Sequence, residues 1–399
     1  MKELFDAIKD DTEYDQEDAP KLVQFQKMIL DTSETNLNFR NKRRTSSIPC
    51  IENINSSLFN TPLFKGVDVE GGIRIVNIID TNFICMCLRF APDGSHFAVG
   101  FSNGLIQLYT SPHGKLLNVL NDNESQACTS IHFNNNYMTE NLQITTVLLA
   151  SHISGNIRLW HYATQTCLFT INENRQTLYC SFSTDGSKFI SCGVDCVIYT
   201  YDFNTCNILT RHKASHSKDK MNGHRGRVFS AKYHPNHKNV FISGGWDDTI
   251  QFWDDRETHS SRHISGPHLC GDGLDIDPEN DQILTGSWRK SNTLQLWDFK
   301  TGNKIRDVLE DVSRTSQLYC VQFVSKSIIA TAGSDVNDVR LIDRANLNVY
   351  YQFQMINQVI GRITASTKSF YAIDNDKLSH KPIYAGISDG KVYLFREEG

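Results

Sequence analysis

A pattern of short strands and tight turns recurs along this chain, and each copy ends in one large side chain. The residues that close the third strand of each copy are Tyr109, Trp160, Tyr201, Trp253, Trp297, Ile342 and Phe395. They follow one another at intervals of 41 to 53 residues. The apolar runs within each copy are separated by turns containing Gly, Asn or Asp, which are typical of β-hairpins. The repeat therefore predicts an array of small β-sheets.

The number of copies indicates how the array is arranged. Propeller blades run about 40–45 residues, with loop insertions lengthening some. Seven copies predict an all-β fold, a closed seven-bladed β-propeller of four-stranded blades over residues 69–399. Closing a sheet array into a ring removes its exposed edges. The last copy stops near Phe395 without a fourth strand, so we expect residues 73–79 to complete the last blade.

The fourth copy carries the most specific motif in the chain. Its marker residues are Gly223-His224, Ser243, Asp247 and Trp253-Asp254. This copy, and the repeat over residues 72–396, resembles the WD-repeat propeller family. The resemblance implies that His224, Ser243, Asp247 and Trp253 form a hydrogen-bonded network with a structural role. Other copies retain only parts of the motif, such as Trp160 and Trp297, which leaves their internal networks open.

Residues 1–68 lack the repeat. Six of the nine residues from Asp10 to Asp18 are acidic, and no acid occurs between Asn36 and Ile51. Charge blocks of this kind predict a largely disordered extension. The apolar run from Leu22 to Leu30 is a candidate docking helix, and Ser46, preceded by two arginines, is a candidate phosphorylation site.

Composition narrows the classes of partner. The formal net charge of −5 and the pI of about 6.3 argue against general nucleic-acid binding. No run approaches the roughly 18 uninterrupted apolar residues of a membrane span, and the acidic N-terminus is unlike a signal peptide. The 11 scattered cysteines are typical of small buried side chains in a reducing compartment. We therefore expect a cytoplasmic or nuclear protein.

The sequence offers little for catalysis. It lacks phosphate-binding loops, zinc-protease helices and hydrolase nucleophile motifs, so we expect no cofactor and no enzyme activity. The only acids that stand out across the repeat are the turn residues Asp195, Asp247 and Asp389. The densest histidine group is His212, His216, His224, His234 and His237. An ordinary polar loop explains this group better than a metal site, and we predict no bound metal.

A basic loop joins the third and fourth copies. Between Arg211 and Arg227 it holds six Lys or Arg residues and one Asp. There are two interpretations of a loop with this charge. It is a binding site for an acidic peptide or a phosphate group, or it is a solvated surface without a ligand. Its candidate partner-binding residues are Arg211, Lys213, Arg225 and Arg227.

The ends of the fourth and fifth copies suggest a second binding surface. Trp253-Asp254-Asp255-Arg256 and Trp297-Asp298-Phe299-Lys300 are tandem WDxR and WDxK boxes. They resemble the boxes of substrate receptors of the cullin-4 ubiquitin ligase, and the resemblance implies that Arg256 and Lys300 face the ligase adaptor. Such boxes also occur in propellers that bind no ligase.

These observations favour a non-catalytic scaffold that binds peptides or protein domains. A ligase substrate receptor is the alternative, and an enzyme is a distant third. Loops of a propeller differ most between blades and carry specificity. We therefore expect binding determinants in the long insertions at residues 134–144 and 369–382.

Overall fold

The computed structural model describes the chain from residue 67 onwards, with gaps. The described residues are 67–70, 73–134, 138–139, 142–143, 146–217, 219–308, 316–334, 338–355, 372–375, 382–388 and 390–397. The predictions for the N-terminal extension, including Leu22–Leu30 and Ser46, lie outside these residues. Among the described residues, no helix is long and apolar enough to cross a membrane.

The described chain is all-β and forms seven blades, each a sheet with a four-stranded antiparallel core, as the repeat predicts. Blade one contains β3 (Cys85–Phe90), β4 (His96–Phe101), β5 (Ile106–Thr110) and β6 (Leu116–Leu120). Blade two contains β7 (Cys128–Phe133), β10 (Val147–His152), β11 (Asn156–His161) and β12 (Thr166–Asn172). Blade three contains β13 (Thr177–Phe182), β14 (Lys188–Gly193), β15 (Ile198–Asp202) and β16 (Ile208–His212).

The remaining blades follow the same plan. Blade four contains β17 (Val228–Tyr233), β18 (Val240–Gly245), β19 (Thr249–Asp254) and β20 (Arg262–Ser265). Blade five contains β21 (Leu274–Asp277), β22 (Gln282–Gly286), β23 (Leu294–Asp298) and β24 (Lys304–Asp307). Blade six contains β25 (Gln317–Phe323), β26 (Ile328–Ser334), β27 (Asp338–Asp343) and β28 (Val349–Met355). Blade seven contains β29 (Ala372–Asn375), β30 (Ile383–Ser388), β31 (Lys391–Glu397) and β2 (Ile73–Asp80).

The large residues that revealed the repeat share one position in the sheets. Each lies on the third strand and is buried opposite a residue of the second strand. The pairs are Phe97 with Tyr109, Leu148 with Trp160, Phe189 with Tyr201, Phe241 with Trp253, Ile283 with Trp297, Ile329 with Ile342, and Tyr384 with Phe395. Burying large apolar pairs on each sheet supplies the main favourable term in folding.

Strand β2 joins the beginning of the propeller to its end. Ile73–Asp80 pairs antiparallel with Lys391–Glu397 and so supplies the fourth strand of blade seven. The Thr81 hydroxyl donates to the Gly390 carbonyl at 2.7 Å. One buried apolar cluster contains residues of both blade one and blade seven, including Phe97 and Leu394. The segment that precedes the first blade thus fixes the last one.

Two features of the strands differ from the prediction. Strand β1 (Val67–Glu70) pairs with β28 as a fifth strand of blade six, so sheet structure begins before residue 69. Strand β29 lies inside residues 369–382, which the sequence assigned entirely to a loop. Its sequence, AIDN, is too short and polar to be distinguished from a loop by periodicity. In the 134–144 insertion, the described parts are the short strands β8 (Met138–Thr139) and β9 (Leu142–Gln143).

Candidate functional site

The structure brings together the four side chains of the blade-four motif. His224 lies in the loop before β17, and its Nδ1 is 2.9 Å from Asp247 Oδ2. Its Nε2 is 2.7 Å from the Ser243 hydroxyl, and Trp253 Nε1 donates to the same hydroxyl at 2.7 Å. Burial opposes ionisation of Asp247, but hydrogen bonds from His224 and the Arg225 N–H hold the pKa of this carboxyl below its ordinary value. A buried and satisfied network of this kind stabilises a blade.

Blade three contains a different network at the same position. Glu173 precedes β13 by the same four residues as His224 precedes β17. Its carboxylate accepts hydrogen bonds from Ser191 and from the Tyr201 hydroxyl, the latter at 2.5 Å. Arg175 donates to Glu173 Oε2 at 2.9 Å and to Asp195 Oδ1 at 2.6 Å. An ion pair thus replaces the imidazole bridge, which the sequence pattern did not reveal.

Blades two and five show how much of the motif the remaining tryptophans retain. Trp297 Nε1 donates to the Thr285 hydroxyl at 2.9 Å, so blade five keeps the hydroxyl contact. In blade two, Ala150 stands where blade four has Ser243, and Trp160 Nε1 is buried without a hydrogen-bond partner. Blade two also carries a carboxylate, Glu124, which pairs with Arg158 at 2.9 Å.

The channel side of the innermost strands is lined by polar residues. In blades one to six, one register position on these strands is occupied by Arg89, His132, Ser181, Lys232, Asp275 and Gln322. The residue just before each of these is apolar or a cysteine. This alternation with a period of two residues is a sequence signal for the polar residues on the channel side.

Asp272 is the centre of the ion pairs in this channel. It lies just before β21 of blade five, and Arg89 of blade one reaches its Oδ2 at 2.9 Å. Lys232 Nζ is 3.0 Å from its Oδ1, and the Tyr179 hydroxyl donates to the same oxygen at 3.2 Å. Burial opposes ionisation of Asp272, but the charges of Lys232 and Arg89 hold the pKa of this carboxyl below its usual range. The channel acids therefore neutralise neighbouring cations.

A surface formed by blades four and five contains two further tryptophans. Trp246 and Trp288 occupy equivalent positions in their blades. Each lies five residues after the second-strand residue, Phe241 or Ile283, that pairs with the buried tryptophan of the third strand. Trp246 packs on Phe229 at 5.3 Å and stacks on His268 at 6.1 Å, and Arg227 lies 5.1 Å from its ring. Trp288 is 38% exposed, and its backbone N–H donates to the His268 carbonyl at 2.8 Å. His268 thus contacts the Trp246 ring and the Trp288 backbone, which places residues of both blades on one surface.

This surface is basic. We name it the tryptophan patch and define it as Arg225, Arg227, Trp246, His268, Trp288 and Arg289. The patch borders exposed Lys290 and one exposed carboxylate, Asp248, which contacts His268 Nδ1 at 2.7 Å and Arg289 at 3.4 Å. The guanidinium of Arg225 donates to the backbone carbonyls of Ser217 and Lys220, so these contacts leave its charge uncompensated.

Comparison with known proteins finds a WD repeat in blade four. The family model "WD domain, G-beta repeat" matches residues 215–254, which include all four side chains of the blade-four network. The chain thus contains a WD repeat and has the seven-bladed fold of WD-repeat β-propellers. WD-repeat propellers generally act as protein-interaction scaffolds, and the family is typically non-catalytic.

Several WD-repeat proteins are similar to this propeller. Cell division cycle 20.1, cofactor of APC complex, of Arabidopsis thaliana is 24% identical over 62% of this chain and 52% of its own length. A guanine nucleotide-binding protein subunit beta of Solanum tuberosum is 23% identical over 62% of this chain and 64% of its own. The WD repeat-containing protein slp1 of Schizosaccharomyces pombe is 21% identical over 67% and 51%. This WD-repeat chain therefore matches less than two thirds of each of these relatives.

The candidate partner-binding residues of the basic loop have different surroundings. Arg211 is exposed near the Tyr199 ring, 5.7 Å from its centroid. Lys213 is exposed too, and its backbone bonds to Thr258 and His259. Of the four residues, Arg225 and Arg227 belong to the tryptophan patch.

The two cations of the WDxR and WDxK boxes are exposed. The Arg256 side chain is 68% exposed and pairs in bidentate fashion with Asp254, at 2.8 and 2.6 Å. The Lys300 side chain is 76% exposed and lies 3.4 Å from Asp281. These boxes lie at the ends of third strands, whereas Trp246 and Trp288 follow the ends of second strands. Because the second and third strands are antiparallel, the boxes lie at the opposite ends of the blades from the two tryptophans.

One group in the described chain has the composition of a metal site. The ligand atoms of His234, His237 and Asp281 lie within 4.8 Å of one another. However, the Asn236 N–H donates to His234 Nδ1 at 3.1 Å, which leaves the ring proton of a neutral imidazole on Nε2. That Nε2 is the atom facing Asp281, at 3.5 Å. The arrangement fits a histidine–carboxylate contact better than a metal ion.

The ten described cysteines are free thiols, and most of them are buried. Cys192 is buried, and Cys196 is half-buried. Burial raises the pKa of Cys85 to about 11 and that of Cys180 to about 12. Such thiols are poor nucleophiles at neutral pH.

Proposed function

We propose that this WD-repeat protein is a non-catalytic scaffold whose tryptophan patch is its main surface for protein partners. The observation that carries the proposal is the presence of two tryptophans on neighbouring blades, one half-buried and one exposed, that both contact His268. Trp and Arg are the residues most enriched in the energetic centres of protein interfaces. Trp246 directly follows strand β18 and Trp288 lies two residues after strand β22, so both are anchored and little conformational freedom is lost when a partner binds.

The channel supports the non-catalytic part of the proposal. Asp272 contacts Lys232 and Arg89, and Asp275 contacts Lys232. A general acid or base needs a pKa near the working pH, whereas the pKa of Asp272 is lowered and that of Lys232 is raised. These groups are suited to holding the innermost strands together.

The names of the relatives are consistent with a role in assemblies. One relative is described as a cofactor of a complex and another as a subunit of a guanine nucleotide-binding protein. We extend only the general role to this chain. A cytoplasmic or nuclear location, expected from the sequence, is part of the same proposal.

Affinity purification with quantitative mass spectrometry tests the proposal. The tagged full chain is compared with a Trp246→Ala/Trp288→Ala variant and with a Leu116→Ala/Leu117→Ala control, which removes two exposed apolar side chains of blade one. We expect specific partners to be lost from the tryptophan variant and kept by the control. Retention of every partner by the tryptophan variant contradicts the proposal.

A ligase substrate receptor is the second candidate function. The observation that favours it is the exposure of Arg256 and Lys300 at the ends of neighbouring blades. An Arg256→Ala/Lys300→Ala variant in the same purification tests it. Recovery of the cullin-4 adaptor with the wild type and its loss from this variant supports the receptor role, and its absence from both rules the role out.

A further inference from the structure

The charge around the tryptophan patch indicates the chemistry of its partner. Arg227 lies 5.1 Å from the Trp246 ring, Arg225 is two residues before Arg227, and Arg289 and Lys290 directly follow Trp288. Asp248 is the exposed carboxylate among these residues. This local excess of positive charge stands out in a chain with a formal net charge of −5. Interfaces match a basic surface with an acidic one.

We propose that the tryptophan patch binds an acidic peptide segment that presents an aromatic or branched aliphatic side chain between carboxylates. The inference rests on the proposed function, since it names the partner chemistry of the same surface. The apolar side chain packs against Trp246 and Trp288, and the flanking carboxylates meet the guanidinium groups. Arginine is suited to this task because its planar fork binds a carboxylate through two hydrogen bonds.

The contacts within the patch show which cations are available to a ligand. Arg289 is directed towards Asp248 and also donates to the Gly266 carbonyl, so its charge is partly compensated. Arg225 is held by two backbone carbonyls, which orient its guanidinium without neutralising it. Arg225 and Lys290 therefore give the main electrostatic attraction, and the tryptophans give the apolar contact.

A single-stranded nucleic acid is the competing ligand, since it also combines negative charge with planar groups. Nucleic-acid sites use several aromatic side chains along a continuous basic groove. The patch instead has two tryptophans on two neighbouring blades, which contact His268 through the Trp246 ring and the Trp288 backbone, within an acidic protein. A peptide is the better match.

Selection from a random peptide library displayed on phage provides the test. The immobilised full chain and the Trp246→Ala/Trp288→Ala variant are screened in parallel. We expect peptides enriched only on the wild type, with Asp or Glu on both sides of an aromatic or aliphatic residue. If no peptide is enriched on the wild type over the variant, both the inference and the proposed binding surface are wrong.

Fluorescence anisotropy with a labelled enriched peptide then tests the location of the binding surface and the acidic chemistry of the partner separately. The tryptophan double variant should bind at least about 30-fold more weakly, as expected for the centre of an interface. Arg225→Glu/Lys290→Glu should weaken binding about 10-fold, and added salt should narrow this difference. The matched control is Lys115→Glu/Lys326→Glu, two exposed lysines on blades one and six, which should leave the affinity unchanged.

Each contrary result has a distinct meaning. If the tryptophan variant loses binding but charge reversal at Arg225 and Lys290 has no effect, the surface is correct and the acidic partner is wrong. If the enriched peptides lack acidic residues, the same conclusion follows. If an oligothymidylate probe binds more tightly than the peptides and displaces them, the patch is a nucleic-acid site and the inference is overturned.

Discussion

In blade four, His224 connects Asp247 to Ser243, whereas in blade three Glu173 occupies the same position and Arg175 makes the connection to Asp195. Both networks receive a hydrogen bond from the large third-strand residue, directly from Tyr201 in one and through Ser243 from Trp253 in the other. Buried polar groups at this position are therefore hydrogen-bonded in both blades, although the side chains that make the hydrogen bonds differ. The cost of breaking each network should differ accordingly.

Removing Glu173 should have the largest effect. Glu173→Ala leaves Arg175 charged with only 4% of its side chain exposed, and it removes the acceptor for Ser191 and Tyr201. Breaking a buried ion pair from one side costs about 3–5 kcal/mol of unfolding free energy. Urea unfolding measures this loss.

The control is Glu279→Ala. Glu279 pairs with Lys326 at 3.0 Å on the surface, where both side chains are more than half exposed. Its loss should change stability by less than about 0.5 kcal/mol. If the two variants unfold at the same urea concentration, the blade-three network does not stabilise the fold.

The blade-four network should be less sensitive. His224→Ala or Asp247→Ala should each cost about 1–3 kcal/mol. When His224 is removed, the Asp247 carboxylate keeps hydrogen bonds from the Arg225 N–H and the Thr249 hydroxyl. The same urea experiment applies, with exposed His216→Ala as the control. A loss from His224→Ala as large as that from Glu173→Ala would remove the distinction between the blades.

Acid sensitivity extends the comparison to blade two. Burial opposes ionisation of Glu124, but hydrogen bonds and the charge of Arg158 lower its pKa from 4.5 to about 2. A carboxyl with a lowered pKa stabilises the fold above pH 4.5 and loses this contribution as the pH falls towards 2. Glu124→Gln should therefore be less stable than the wild type at pH 6, and the gap should shrink below pH 4.5. A gap that is constant from pH 6 to pH 2 contradicts this.

The smallest effect should come from restoring a missing partner. Ala150→Ser places a hydroxyl where blade four has Ser243, beside the unpaired Trp160 Nε1. One satisfied hydrogen bond should raise the unfolding free energy by about 1 kcal/mol. Thermal unfolding compares this variant with Ala150→Cys, which adds a weaker hydrogen-bonding group of similar shape. A destabilised Ala150→Ser protein would show that the site has no room for the oxygen.

The repeat made the blades predictable, because buried pairs such as Phe241 with Trp253 recur at one register position. The blade-four residues were predictable from a specific motif. Glu173 and Arg175 were not, because they replace that motif with unrelated side chains. Asp272 was hidden too, since it precedes its strand and pairs with residues of other blades, Arg89 and Lys232.

The tryptophan patch was only half visible in the sequence. Arg225 and Arg227 stood out in a basic loop, but the two indoles come from separate turns. Their relative placement depends on how blades four and five pack. His268, which contacts the Trp246 ring and the Trp288 backbone, lies in the loop between the blades. Local patterns carry no information about contacts of this kind.

Site-specific photo-crosslinking tests the central claim most directly. A photoreactive amino acid is placed at Trp288 in one version of the full chain and at Lys300 in another, and both are irradiated in cells. The account predicts protein adducts from position 288 that are absent or much weaker from position 300. Adducts from position 300 alone would contradict it and would place the partner at the opposite ends of the blades.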